Sequence, residues 1–304
     1  MKTFRKKLLY KSSAKAQSAM EYLMTYGWAI LIIAVVLGAL FQLGVFNANN
    51  FAPKAPPGSC QVFRPNGPGT TQFINLEGIC SGELPQYVAQ FNGQSSSEVT
   101  IPTSKSLEPT SITVTGWSYV ANIGSDHCGP QSISGNLGGS NGGNGRTGIF
   151  LGDGWGSDVV FIVGNSTSWL QLDTTSNPIY GGRWVFLAGT YNVNSEDAFL
   201  YEDGVQLAGG HINQLVQNSN PYQIGGGCEN GFVTNVQIYN TSLSANDIQA
   251  LYQEGIGGAP IDLQNLVGWW PLNGNANDYS GNGNNGAPTN VIFVSNWWSG
   301  YTPP

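Results

Sequence analysis

Two hydrophobic patterns divide the chain. The first is the 25-residue uncharged run from Tyr22 to Phe46, whose centre, Trp28–Phe41, is almost wholly apolar. As a helix it would be roughly 37 Å long, enough to cross a hydrocarbon core of about 30 Å. The second pattern begins at Gln86, where short alternating runs recur with Gly or Asn between them. VAQF (Val88–Phe91), EVTIP (Glu98–Pro102), ITVTGWSYV (Ile112–Val120), VVFIV (Val159–Val163), RWVFLAGTYN (Arg183–Asn192), AFLYEDGVQLA (Ala198–Ala208) and FVTNVQIYN (Phe232–Asn240) carry it. This alternation predicts a mainly β fold, a sandwich or jelly roll with apolar side chains inward. Asp203-Gly204 reads as a hairpin turn. One helix stands out, Ser244–Gly255, capped by Ser244 with Asp247 completing a capping box and Gly255 after the last turn.

Between the two patterns, Asn47–Ser59 carries three Pro and no periodicity, and reads as a linker. Cys60–Cys80 then places two strand-like runs around an Asn-Gly-Pro-Gly turn, predicting a small β-hairpin over residues 60–84. Four cysteines, Cys60, Cys80, Cys128 and Cys228, suit two disulfides. Three pairings are formally open, and Cys60–Cys80 with Cys128–Cys228 is favoured. No two Cys have a two-residue spacing, and His127 and His211 stand apart in sequence, which argues against zinc.

Charge sharpens the division. Only 10% of the 304 residues are charged and the net charge is −7. Six of the 11 Lys and Arg lie in the first 15 residues, whereas all 18 acidic residues start at Glu21. Without residues 1–16 the balance is 5 basic against 18 acidic, or −13. That excludes a nucleic-acid partner recognised through net positive charge, and it places a basic head inside the cell and an acidic body outside. Of 42 Gly, 34 follow residue 84, so the glycine excess belongs to the turns of the β region.

The string AKAQSAMEY (Ala14–Tyr22), with small residues before the apolar span, resembles the class III signal peptides of archaeal type IV pilin-like proteins. The resemblance implies that a prepilin peptidase cuts between Ala16 and Gln17, which makes residues 1–16 a cleaved leader. Residues 17–46 then form a membrane or filament-core helix, in which copies self-assemble. Glu21 becomes the fifth mature residue, the position that in bacterial relatives pairs with the new terminal amine of a neighbouring subunit. The family usually has Ser at the third mature position; here Ser18 is second and Ala19 third. The alternative is an uncleaved single-pass anchor for a lectin-like body that never assembles.

YVAQFNG (Tyr87–Gly93), ITVTGWSY, RWVFLAGTYN, the YEDGVQL hairpin and NVQIYNTSLSANDIQALY (Asn235–Tyr252) resemble, in this order, the laminin-G-like, concanavalin A-like lectin family. The resemblance implies a jelly-roll sandwich over residues 85–304, displayed at the cell surface as an adhesin or recognition module for a glycan or other surface ligand. The family's opening strand, which reads like LVGWWPLNGNANDYSGNGNNG, here occupies Leu266–Gly286, after the helix. About 40 residues cannot form a second sandwich. The segment 261–304 is therefore expected to return and complete the same sheet, the alternative being a swap into a neighbour.

Enzymatic chemistry finds little support in the sequence. Glycosidases of related fold need two carboxyls facing one cleft, and no Glu-x-Asp-x-x-Glu strand occurs. The acidic pairs Glu196-Asp197 and Glu202-Asp203 fall at turns, and the Gly runs 138–145 and 225–227 lack a Walker lysine. Asn273–Gly286 offers Asp278 among Asn side chains, the hard oxygen donors of a structural Ca²⁺ site. Asp278, Asn273 and Gly93 are the ligand candidates, and a turn held by Asx hydrogen bonds is the plainer reading. Trp155, Trp297, Trp298 and Tyr301 are candidate sugar platforms, since a ring face suits a pyranose. Asn165 and Asn240 head N-glycosylation sequons.

Overall fold

The computed structural model describes residues 26–38, 84–94, 96–120, 131–136, 147–151, 159–165, 167–174, 182–215, 220–226 and 230–304. Residues 26–38 form helix α1. The remainder form two antiparallel sheets in a jelly-roll-like sandwich. The expected hairpin at 60–84 and all four cysteines lie outside the described residues, apart from Leu84.

Sheet 1 runs in the order β10 (Val205–His211), β9 (Asp197–Glu202), β8 (Trp184–Asn192), β3 (Ile112–Val120), β12 (Asn230–Tyr239), β1 (Val88–Asn92) and β15 (Ile292–Val294). Strand β13 (Leu266–Trp270) also pairs with β12. Sheet 2 runs β14 (Ala287–Thr289), β2 (Glu98–Ile101), β11 (Tyr222–Gly225), β4 (Gln131–Asn136), β5 (Thr147–Leu151), β6 (Val159–Gly164) and β7 (Trp169–Asp173). The hairpin between β9 and β10 turns on Asp203 (φ 49°) and Gly204 (φ 78°). Positive φ at both residues matches the right-handed twist of the strands they join.

The last 40 residues enter both sheets. β1 pairs with the first half of β12, from Asn92 opposite Asn230 to Ala89 opposite Val233. β13 pairs with the second half, from Trp270 opposite Val236 to Leu266 opposite Tyr239. Two segments far apart in sequence thus share one strand position, end to end. β12 bulges at the junction, where Asn235 has φ 50°. There the Pro271 carbonyl accepts both the Asn235 N–H (3.2 Å) and the Thr234 hydroxyl (2.7 Å). Beyond it the chain pairs once with β2 and once with β1, crossing between sheets at Asn290.

Two cores explain why several strands are apolar on both faces. Between the sheets lie Phe91, Ile101, Val114, Phe161, Leu187, Tyr191, Ile224, Ile238 and Trp270. Phe161 sits over Gly189 so closely that a methyl group on Gly189 would overlap the ring. On the other face of sheet 1, Trp117, Trp184, Phe186, Tyr201, Tyr239 and Trp269 pack with Ile248 and Leu251 of helix α2 (Ala245–Gln253), Ile256 and Trp297. β8 therefore alternates between two interiors, with Val185 and Leu187 in one and Trp184 and Phe186 in the other. Helix α2 has the capping box read from the sequence: the Ser244 hydroxyl accepts the Asp247 N–H, and the Asp247 carboxylate accepts the Ser244 N–H at 3.0 Å. Gly255 follows with φ 80°.

Candidate functional site

The loop after β13 is held by one carboxylate. Asp278 Oδ1 accepts the N–H groups of Trp269 (3.0 Å) and Ser280 (2.8 Å), and Oδ2 accepts that of Asn284 (2.8 Å). Asp278 is only 8% exposed. A carboxylate has about four lone-pair sites, so three of them face backbone amides. Asn273 Oδ1 is likewise occupied, by the Tyr87 N–H at 2.8 Å. Gly93 lies past the far end of β1, a five-residue strand away from Tyr87. Asp278 and Asn273 thus spend side-chain oxygens on backbone amides, and Gly93 stands a strand's length from Tyr87, the partner of Asn273. Among the described residues no group of three or more His, Cys, Asp or Glu has a metal-holding arrangement.

The aromatic candidates separate by burial. Trp297 is 1% exposed, donates its indole N–H to the Pro85 carbonyl at 3.1 Å, and meets Trp184 edge-on at 5.7 Å. Tyr301 packs edge-on against Trp117 and Trp297, and its hydroxyl accepts the Ile256 N–H at 3.1 Å. Both belong to the outer core of sheet 1 rather than to an open platform. Trp298 stays 49% exposed, stacked on Trp297 with centroids 4.8 Å apart. Trp169, at the start of β7, is another exposed ring, which its place in an edge strand hid from the sequence pattern. Trp155, the processing residues Ala16 and Gln17, and Glu21 lie outside the described residues.

The acidic pairs have structural partners. Arg183 reaches Glu202 through Nη2 and Asp203 through Nη1 (2.9 Å), while Asp203 Oδ1 accepts the Phe186 N–H. Burial pushes the Glu202 carboxyl above its ordinary value, and Arg183 pulls it part of the way back. Glu196 and Asp197 each approach a ring nitrogen of His211 at 3.4 Å. The hairpin thus groups a histidine that sequence spacing left isolated. Of the two sequon residues, Asn240 is exposed. Asn165 closes an Asx turn on Thr167 (2.9 Å), and its Nδ2 donates to the Asn213 carbonyl.

A groove of about 300 Å³ opens where β12 ends and β13 begins. Lys105, Ser106, Asn240, Gln264, Leu266 and Asn282 are among the residues lining it. Asn240 reads as a glycan acceptor, and Leu266 and Asn282 fall in the returning segment Leu266–Gly286, but the sequence pattern singles out none of Lys105, Ser106 and Gln264. The available signal was the scarcity of cations, since Lys105 is one of three Lys or Arg after residue 84.

A family profile described as the concanavalin A-like lectin/glucanases superfamily matches residues 92–249. No curated protein matches the chain in sequence. Among solved structures, a candidate carbohydrate-binding protein from Bacteroides ovatus is similar at TM-score 0.53 and 16% identity, over 70% of this chain and 61% of that one. The chain thus spans less than two thirds of that relative. A heptameric pentraxin from Limulus polyphemus (TM-score 0.45, 14% identity, 70% and 97% covered) is also similar. So is domain 4 of an extracellular arabinanase from Geobacillus stearothermophilus, solved with arabinotriose (TM-score 0.42, 19% identity, 56% and 81% covered). With the family profile matching more than half of its length, the chain belongs to the concanavalin A-like lectin/glucanases superfamily.

Proposed function

We propose that the chain is a pilin-like cell-surface subunit whose sandwich is a recognition module for glycans or other surface ligands. In this reading a prepilin peptidase removes residues 1–16, and the segment from Gln17 anchors in the membrane or packs with its copies in a filament. The role is binding rather than catalysis, because Glu202, Asp203 and Asp278 are all committed to structural partners.

The observation that carries this reading is the exposure of α1. Every residue of 26–38 is exposed, with Trp28 and Ile30 at 65% and apolar side chains on all sides. A helix apolar all round is stable only when lipid or other protein covers it. No helix among the described residues is long and apolar enough to cross a membrane; α1 accounts for 13 residues of the longer uncharged run.

N-terminal sequencing of the protein from its native membrane, with electron microscopy of the cell surface, tests this. The expected results are a mature chain beginning at Gln17 and filaments lost in Glu21→Ala. A chain still beginning at Met1, or filaments indifferent to Glu21→Ala, would overturn the assembly mechanism. Membrane-held protein without filaments would identify the single-pass anchor instead.

A further inference from the structure

Between residues 84 and 304 the chain has three Lys or Arg against fifteen Asp or Glu. Arg183 is consumed by Glu202 and Asp203. Lys105 is exposed and forms no ion pair among the described residues. It lies in a single turn of 3-10 helix, Lys105–Leu107, on the wall of the 300 Å³ groove. Around it stand amide side chains. Those of Asn240 and Gln264 have no hydrogen-bond partner among the described residues. Asn282 spends its Nδ2 on the Leu266 carbonyl (3.2 Å) and Ser280 Oγ (3.1 Å), which leaves its Oδ1 to accept.

The walls of the groove are held in place. Asn284 Nδ2 ties Ser106 Oγ (3.0 Å) to the Val267 carbonyl (2.9 Å), joining the 3-10 turn to β13. The Asn240 N–H donates to the Asn265 carbonyl (2.8 Å), and Asn265 is itself held by Asp262. The side chains facing the groove are thus presented on fixed backbone, which lowers the ordering cost of binding.

We propose that this groove binds a carboxylate-bearing saccharide, with Lys105 pairing its carboxylate and Asn240, Gln264 and Asn282 pairing its hydroxyls. The proposal rests on the recognition reading above and names a ligand class for it. Among the described residues no aromatic ring lines the groove, so recognition there is assigned to hydrogen bonds and charge rather than to stacking on a pyranose face. Amides both donate and accept, as hydroxyls do, and the Lys105 ammonium supplies the local positive charge that pairs a carboxylate, against the net negative field of the body. The volume is at the lower end of ligand sites, which suits one or two sugar rings rather than a folded partner.

The test uses the full-length chain carrying Ser242→Ala, which removes the Asn240 sequon while leaving Asn240 in the groove. Calorimetric titration with trigalacturonate and a mannuronate trimer, beside neutral galactose and arabinose trimers and a triglutamate peptide, reads the specificity. The expected result is binding of at least one uronate, weakened about tenfold by Lys105→Gln and weakened by added salt, in a variant whose melting temperature is unchanged. Gln264→Ala should weaken it as well. Uronate binding indifferent to Lys105→Gln, or equal Lys105-dependent binding of triglutamate, would overturn the proposal. Binding of a neutral trimer alone would overturn it while sparing the recognition reading. Binding of none of the sugars would overturn the proposal, and the recognition reading would then stand only for a ligand other than these sugars.

Discussion

The side-chain oxygen of Asn273 accepts the backbone N–H of Tyr87 at 2.8 Å, across 186 residues of sequence. This bond lies where β13 and β1 meet end to end along β12, so it fastens the C-terminal segment to the first strand of the sandwich. Asn273→Ala leaves a partly buried N–H without its acceptor and should cost about 1 kcal/mol. Urea denaturation of the variant against the parent measures it, and an unchanged midpoint would show that the junction is held by its neighbours alone.

A stronger effect is expected at Asp278, whose carboxylate takes three backbone N–H groups. Asp278→Ala strands those donors in a buried loop and should cost roughly 3–5 kcal/mol. The melting temperature of the parent should not respond to a chelator, because these bonds need no metal. A fall in melting temperature with chelator, restored by Ca²⁺, would show that this loop or another holds the ion.

Glu202 makes stability depend on pH in a particular direction. Burial raises its carboxyl above the ordinary 4.5, against the opposing pull of Arg183. The folded chain therefore holds this proton more tightly than the unfolded chain does. Between the ordinary value and the raised one, the folded state binds more protons, so stability falls as pH rises through that window. Urea midpoints at pH 4, 5, 6 and 7 should decline less steeply in Glu202→Gln than in the parent. Parallel profiles would show that the carboxyl titrates alike in both states.

Gly189 tests the spacing between the sheets. A methyl group there would overlap the ring of Phe161, which is fully buried and has little room to move. Gly189→Ala should destabilise by about 1–3 kcal/mol through overpacking. Pairing it with Phe161→Leu should recover part of the loss, and strictly additive effects would argue against that contact.

Much of the fold was legible along the chain because the signals are local. Alternation marks a strand wherever one face is buried, Asp203-Gly204 specifies its turn by tolerating positive φ, and Ser244 with Asp247 closes a cap within one helical turn. The order of the motifs carried the sandwich as well. The candidate sites were far less legible. Adjacent tryptophans in the sequence NWWSG look alike, yet Trp297 is core and Trp298 faces solvent. An acidic residue in an Asn/Gly-rich loop suits a metal and a backbone clamp equally until its acceptors are seen to face amides.

By itself, then, the sequence determined the β alternation, the caps and turns, the basic head on an acidic body and the apolar run before it. All of these follow from interactions between residues a few positions apart, or from composition. Only the tertiary structure decided that β1 and β13 share one strand position and that sheet 1 is buried on both faces. It also decided that Lys105 stands beside Asn240, Gln264 and Asn282. A period of two says that neighbouring side chains point to opposite faces, but it does not say what covers each face. That depends on contacts between segments more than a hundred residues apart, such as β3 with β12 and β1 with β15.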